Sequence, residues 1–173
     1  AQIVSEPSCA CPEVVPEWHG LDLDLSNQCV HDQSIPSFFH MPISYDLYRQ
    51  KQAQNIEHLE LKERWPGLVL TRTGLWGGQI LRLLEAAESP SRQVRFLETP
   101  FYVSVFLHEG GIGTAPKAAQ LQQLKMSERK LKPKELFLAH LTCPICSEAK
   151  GGDKILIIRR WMTKDSLPAL TRP

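Results

Sequence analysis

The first 48 residues contain no lysine and no arginine. They carry Glu6, Glu13, Glu17, Asp22, Asp24, Asp32 and Asp46, a formal charge of −7, while the chain from Arg49 onward holds 20 basic and 12 acidic residues. That asymmetry marks an acidic arm and a basic body, which either pack on each other or meet outside partners. The whole chain is nearly neutral, with a formal charge of +1, which argues against a dedicated nucleic-acid binder.

Other absences narrow the class. There is no apolar run long enough to cross a bilayer, so a membrane-spanning chain is not expected. The first residue is Ala1, which points to a processed, trimmed or excised chain. Cysteine is sparse and odd in number, with Cys9, Cys11, Cys29, Cys143 and Cys146. An odd count opposes a closed disulfide framework and favours an intracellular setting, cytoplasm or nucleus. No GxSxG elbow, HExxH pair, P-loop GK[ST] or zinc-deaminase pattern occurs. The reading therefore leans away from an enzyme.

Composition otherwise suits one globular domain, with 42% hydrophobic and 23% charged residues. Residues 1–42 read as a Pro-rich acidic arm with one short strand, where Leu21, Leu23 and Leu25 alternate with Asp22 and Asp24. Residues 43–173 read as an α+β body. A helix is expected after Pro42, with Tyr45, Tyr48, Gln52, Ile56 and Leu59 on one face and a stop at Pro66–Gly67. "GLVLTRTG" reads as a strand and "GGQILRLLEAAE" as a second helix. "QVRFLETPFYVSVFLHE" splits into two strands around Thr99–Pro100. A helix with Pro116 in its first turn follows, and two strands flank the CPIC turn. This order predicts a five-stranded sheet or an OB-like barrel with two to three helices.

The strongest chemical signal is "LTCPIC". A CxxC turn sets two thiols on one knuckle, and zinc needs four donors in a tetrahedron. Only one CxxC is present, so the other donors come from Cys9 and Cys11 in "CACP". A zinc ion held by Cys9, Cys11, Cys143 and Cys146 would staple the arm to the last hairpin. His140, Cys29 and His31 are the other candidate ligands. A thioredoxin-like role fails on length, since only 27 residues follow Cys146. An unliganded turn is the remaining alternative.

Weaker signals remain. Lys130, Lys132, Arg159, Arg160 and Trp161 combine charge with an aromatic, as a nucleic-acid or partner contact would; a solvated helix end explains the lysines equally well. "HEGGIG" puts His108 and Glu109 beside a Gly-rich loop, although adjacent strand residues point to opposite faces. The function this predicts is a non-enzymatic, zinc-stabilised binding module within a larger protein or nucleoprotein assembly. The alternative is a metal- or thiol-dependent enzyme built around His108, Glu109 and the GGIG loop.

Overall fold

The computed structural model describes residues 9–86 and 88–173; Glu6 of the acidic segment lies outside them. In chain order the elements are β1 (Asp22–Asp24), β2 (Cys29–Phe38), β3 (Met41–Pro42), α1 (Tyr45–His58), β4 (Leu70–Thr73), β5 (Gly77–Leu83), β6 (Val94–Phe96), β7 (Tyr102–Glu109), α2 (Ala115–Glu128), β8 (Lys132–His140) and β9 (Lys154–Met162). Among the described residues the nine strands make one sheet in the order β1-β7-β9-β8-β4-β5-β2-β3, with β6 also on β2. Every strand pairing in it is antiparallel.

This architecture corrects the expected five-stranded sheet or OB-like barrel; only the broad α+β description holds. The expectation lacked β2, β3 and β5 and left β1 in the arm, outside the sheet. Residues 77–83 form β5, not a helix, because both of its faces are covered: Leu81 and Leu83 enter one core, while Ile80 and Arg82 are buried on the other side. A short apolar run buried on both faces shows no period that separates strand from helix. The ten-residue β2 was hidden by Pro36, which sits opposite Gly77 near the end of the β2–β5 ladder, a position where a missing N–H is tolerated.

The sheet stays open, yet its ends approach each other. Only residues 25–28 separate β1 from β2, and only residues 97–101 separate β6 from β7, although these pairs lie far apart in the strand order. The two links bond directly: Leu25 N donates to Phe101 O at 2.8 Å and Asn27 N to Leu97 O at 3.0 Å. The sheet therefore curls, and its inner face holds the main core, where Leu23, Val30, Leu83, Val105, Phe137 and Ile158 share one cluster with Trp18. Leu23 and Leu25 are fully buried, as their alternation predicts.

The two helices lie on the outer face. On α1, Tyr45 and Tyr48 pack on Ile35, Val69 and Ile80, and Ile56 packs on Cys29 and Leu84. On α2, Met126 packs on Leu131 and Trp161, and Gln122 Nε2 donates to Ser104 O at 3.0 Å. Both helices end at a residue with positive φ, Glu60 and Lys130. There the amides of Leu61 and Leu131 reach back to Ile56 O and Met126 O, satisfying carbonyls that the helix leaves open. Among the described residues, no helix is long and apolar enough to cross a membrane.

Candidate functional site

At the β8–β9 tip, Cys146 N and Ser147 N donate to Cys143 O at 3.1 and 2.9 Å, and Cys143 N points at Cys146 Sγ at 3.3 Å. This knuckle holds the two sulfurs 3.8 Å apart. Cys9 Sγ, from a residue 134 positions away, lies 3.5 Å from Cys143 Sγ. All four sulfurs of Cys9, Cys11, Cys143 and Cys146 fall within 4.8 Å of one another. Metal–sulfur bonds of about 2.3 Å in a tetrahedron place sulfurs about 3.8 Å apart. The cluster can therefore hold a metal ion.

Electrostatics at the cluster is uneven. Burial acts to raise the Cys143 thiol, but amide hydrogen bonds from Cys146 and Ile145, helped by the thiols of Cys9 and Cys11, bring it down to about 6. Burial raises Cys11, and Cys143 adds to that effect. Of the four, Cys143 is therefore the readiest to meet a cation, which would displace protons from the raised thiols beside it.

The arm reaches this cluster because the body is shaped to receive it. Trp18 is buried against Trp65, with ring centroids 5.8 Å apart. Lys150 Nζ bridges Pro12 O and Leu141 O at 3.2 and 3.3 Å. Gly67 has φ of +84°, and a Cβ there would lie 3.0 Å from Pro12 Cα and 3.1 Å from Ala10 O. A side chain there would strain that backbone and crowd that approach, and glycine avoids both.

A groove of about 800 Å³ opens on the outer face between α2 and the β2–β3 hairpin. Its floor is set by register: Leu138 lies between Thr71 on β4 and Ile157 on β9, with Leu136 beside Arg159 and His140 beside Ile155. Leu136, Leu138, Ala115 and Ala119 make it apolar, and His140, Arg159, Glu135 and Thr71 add polar groups. Tyr45 OH meets Thr71 Oγ1 at 2.9 Å. His140 is exposed at the end of β8; partial desolvation against the groove wall, then the Arg49 guanidinium, moves its proton affinity down. His140 is thus a groove residue and not a member of the cysteine cluster.

The other sequence candidates scatter. Trp161 is fully buried beneath α2, and thus cannot serve as a surface contact. Arg160 lies on the strand face opposite Arg159, stacked on Phe101 at 4.2 Å and paired with Glu98 and Glu135. Lys130 caps α2 with positive φ, and Lys132 is exposed at the start of β8. These five residues do not form one surface. His108 Nε2 meets Thr114 Oγ1 at 2.7 Å, its ring lying over Gly110, whereas Glu109 is exposed beside Lys154. The pair does not converge.

Sequence reasoning missed a buried polar network under α1. Gln52 Nε2 donates to His31 O and Ile80 O, and its Oε1 accepts from Arg82 Nε at 2.9 Å. Those bonds fix the amide's orientation and bring Gln52 Nε2 to 3.1 Å from His31 Nδ1, while Asn55 Nδ2 lies 3.0 Å from His31 Nε2. Burial, then Arg82, keeps that imidazole neutral. Arg82 completes the network with Glu63 at 3.0 Å. Gln52 on the apolar stripe of α1 was the available signal. Cys29 is a buried thiol beside Ile56 and, like His31, is committed to the interior.

Fold and site together define an α+β chain with a four-thiol cluster at one end of its sheet and a mixed apolar and polar groove beside it. The chain belongs to the family described as bacterial hydrolase, whose model matches residues 2–161. No curated protein and no solved structure matches it.

Proposed function

We propose that this chain is a hydrolase whose substrate lies in the groove between α2 and the β2–β3 hairpin, with a structural zinc at Cys9, Cys11, Cys143 and Cys146. The membership in a hydrolase family carries the reading. The groove supports it, because an apolar cleft of several hundred cubic ångströms with a few polar groups is the usual form of a small-molecule site. His140 is its best general base. Its lowered affinity for protons favours the neutral imidazole that a base requires. It accepts a proton from water as the water oxygen bonds to the electrophilic centre. The bond to the leaving group then breaks, and the proton passes to that group, so one water is consumed per bond cleaved.

Zinc has no step in this scheme. Four thiolates leave it no open position, as in structural sites, and its part is to hold the arm. A four-thiol site favours a reducing compartment, which keeps an intracellular location within the proposal. The reading around His108 and Glu109 lacks convergent groups and is not carried further; a protein or nucleic-acid partner is not part of the proposal.

The test is turnover of a panel of nitrophenyl esters, anilides and phosphodiesters by the full chain and by His140→Ala. The variant should lose about 100-fold in kcat/KM while keeping its metal and its circular dichroism. Because the folded-state pKa of His140 is depressed, the wild-type rate should rise with pH through a value below 6.5 and level off above it. Equal rates in both proteins would sink the assignment.

A further inference from the structure

The mouth of the groove carries an array of rings that folding does not explain. Phe38 and Phe39 at the β2–β3 turn stand beside Trp76 at the β4–β5 turn, with ring centroids 4.5, 5.6 and 6.2 Å apart. The two tips are bonded to each other: Phe39 N donates to Leu75 O at 2.9 Å, and Ser37 Oγ to Gly74 O at 2.7 Å. The rings are thus fixed in place, yet Phe39 is 61%, Met41 71% and Trp76 76% exposed. A contiguous apolar patch of this kind marks a binding surface.

Phe39 and Met41 also line the groove, so the lip continues its apolar wall outward. Arg159 lies at the same end, since Leu136 and Arg159 are register partners and β4 runs from Thr71, opposite Leu138, toward the Gly74 turn. Among the described residues Arg159 forms no ion pair. Its one hydrogen bond goes to Lys134 O at 3.3 Å, and its buried Nε has no partner. Glu135, the nearest acid on the wall, is taken by Arg160. A partly buried, uncompensated cation at the end of an apolar trough calls for an anion.

We propose that the groove takes a free single-chain amphiphile with an anionic head, carboxylate or phosphate, whose head sits on Arg159. The chain lies along Leu136 and Leu138 and the small side chains of α2, and the fixed Phe39, Met41 and Trp76 lip flanks it at the mouth. The step along β8 from Leu136 to His140 spans about 13 Å, so in a substrate the bond to be hydrolysed, an ester or amide, lies at the far end of a medium-length chain from the head, where it meets the proposed base. The inference deepens the hydrolase reading and rests on it for the identity of the site, but binding itself can be measured without turnover.

The experiment titrates the full, metal-loaded chain with monomeric octanoate, decanoate and dodecanoate, followed by calorimetry and tryptophan fluorescence. One molecule should bind per chain, about fourfold more tightly for each added methylene. Dodecanol should bind at least tenfold more weakly than dodecanoate, Arg159→Gln should abolish that difference, and Trp76→Ser should weaken both ligands. Alkyl phosphates of the same lengths should follow the same order. No saturable binding, no dependence on chain length, or unchanged carboxylate affinity in Arg159→Gln overturns the proposal. So does binding confined to phosphatidylglycerol vesicles, which makes the lip a membrane contact, or self-association lost in Trp76→Ser without amphiphile binding, which makes it a protein contact. Dodecanoate binding without His140-dependent turnover defeats the hydrolase reading and leaves this one standing; the reverse result defeats only this one.

Discussion

Hairpin tips at opposite ends of the sheet are put to opposite uses. At the β8–β9 tip, polar and reactive groups are gathered inward: four thiols from two distant segments meet, and Pro12, Gly67 and Lys150 close around them. At the β2–β3 and β4–β5 tips, large apolar rings stand in water. With a metal bound, the first arrangement would stabilise the chain, because donors drawn from sites 134 positions apart can share an ion only with the arm in place. The second contributes less to the fold, because rings left mostly in water remove little area from it. In the proposed reading the closed tip serves the fold, and the tip open to solvent beside a groove is available to a ligand.

The sharpest way to break this contrast is at the closed tip. Cys143→Ser, or chelation of the metal, should release the arm at a cost of several kcal/mol, since binding energies at such sites reach on the order of 10 kcal/mol. Proteolysis between residues 9 and 18 and a large fall in Tm would report it; unchanged metal content and Tm would show that the cluster holds nothing. A subtler lesion is Gly67→Ala, which combines a positive φ with a clash against Pro12 and Ala10. It should cost about 1–3 kcal/mol, and less in the Cys143→Ser background, where the arm is already loose. Equal costs in both backgrounds would uncouple Gly67 from the arm. The smallest effect belongs to the open tip. Trp76→Ser should leave stability within about 0.5 kcal/mol of the wild type, measured by urea titration, and a larger loss would mean that the rings support the fold after all.

Part of this comparison was legible in the chain itself. The CPIC turn between two strands, with CACP as its first-choice complement ahead of His140, Cys29 and His31, named all four cysteines of the cluster, because donor chemistry restricts which residues can share a metal. The strict alternation at Leu21, Leu23 and Leu25 and the spacing along α1 were equally readable. The groove was not. Its walls come from β3, β4, β8, β9 and α2, and neither Arg159 nor His140 carries any local mark of facing the same trough. The basic cluster failed for a related reason. Adjacent strand residues point to opposite faces, so Arg159, Arg160 and Trp161 divide among the groove, an ion-pair network and the space under α2.

By itself the sequence determined the local elements wherever one face was apolar and the other polar, and it determined which thiols can meet a metal. The tertiary structure alone decided the rest. Strands buried on both faces, β5 above all, leave no period to read. The curl of the sheet follows from two short links between elements that lie far apart in the strand order, which only the full set of pairings reveals. Whether Phe39 and Trp76 would be core or surface depended on which hairpins end side by side, and hydrophobicity alone does not encode that.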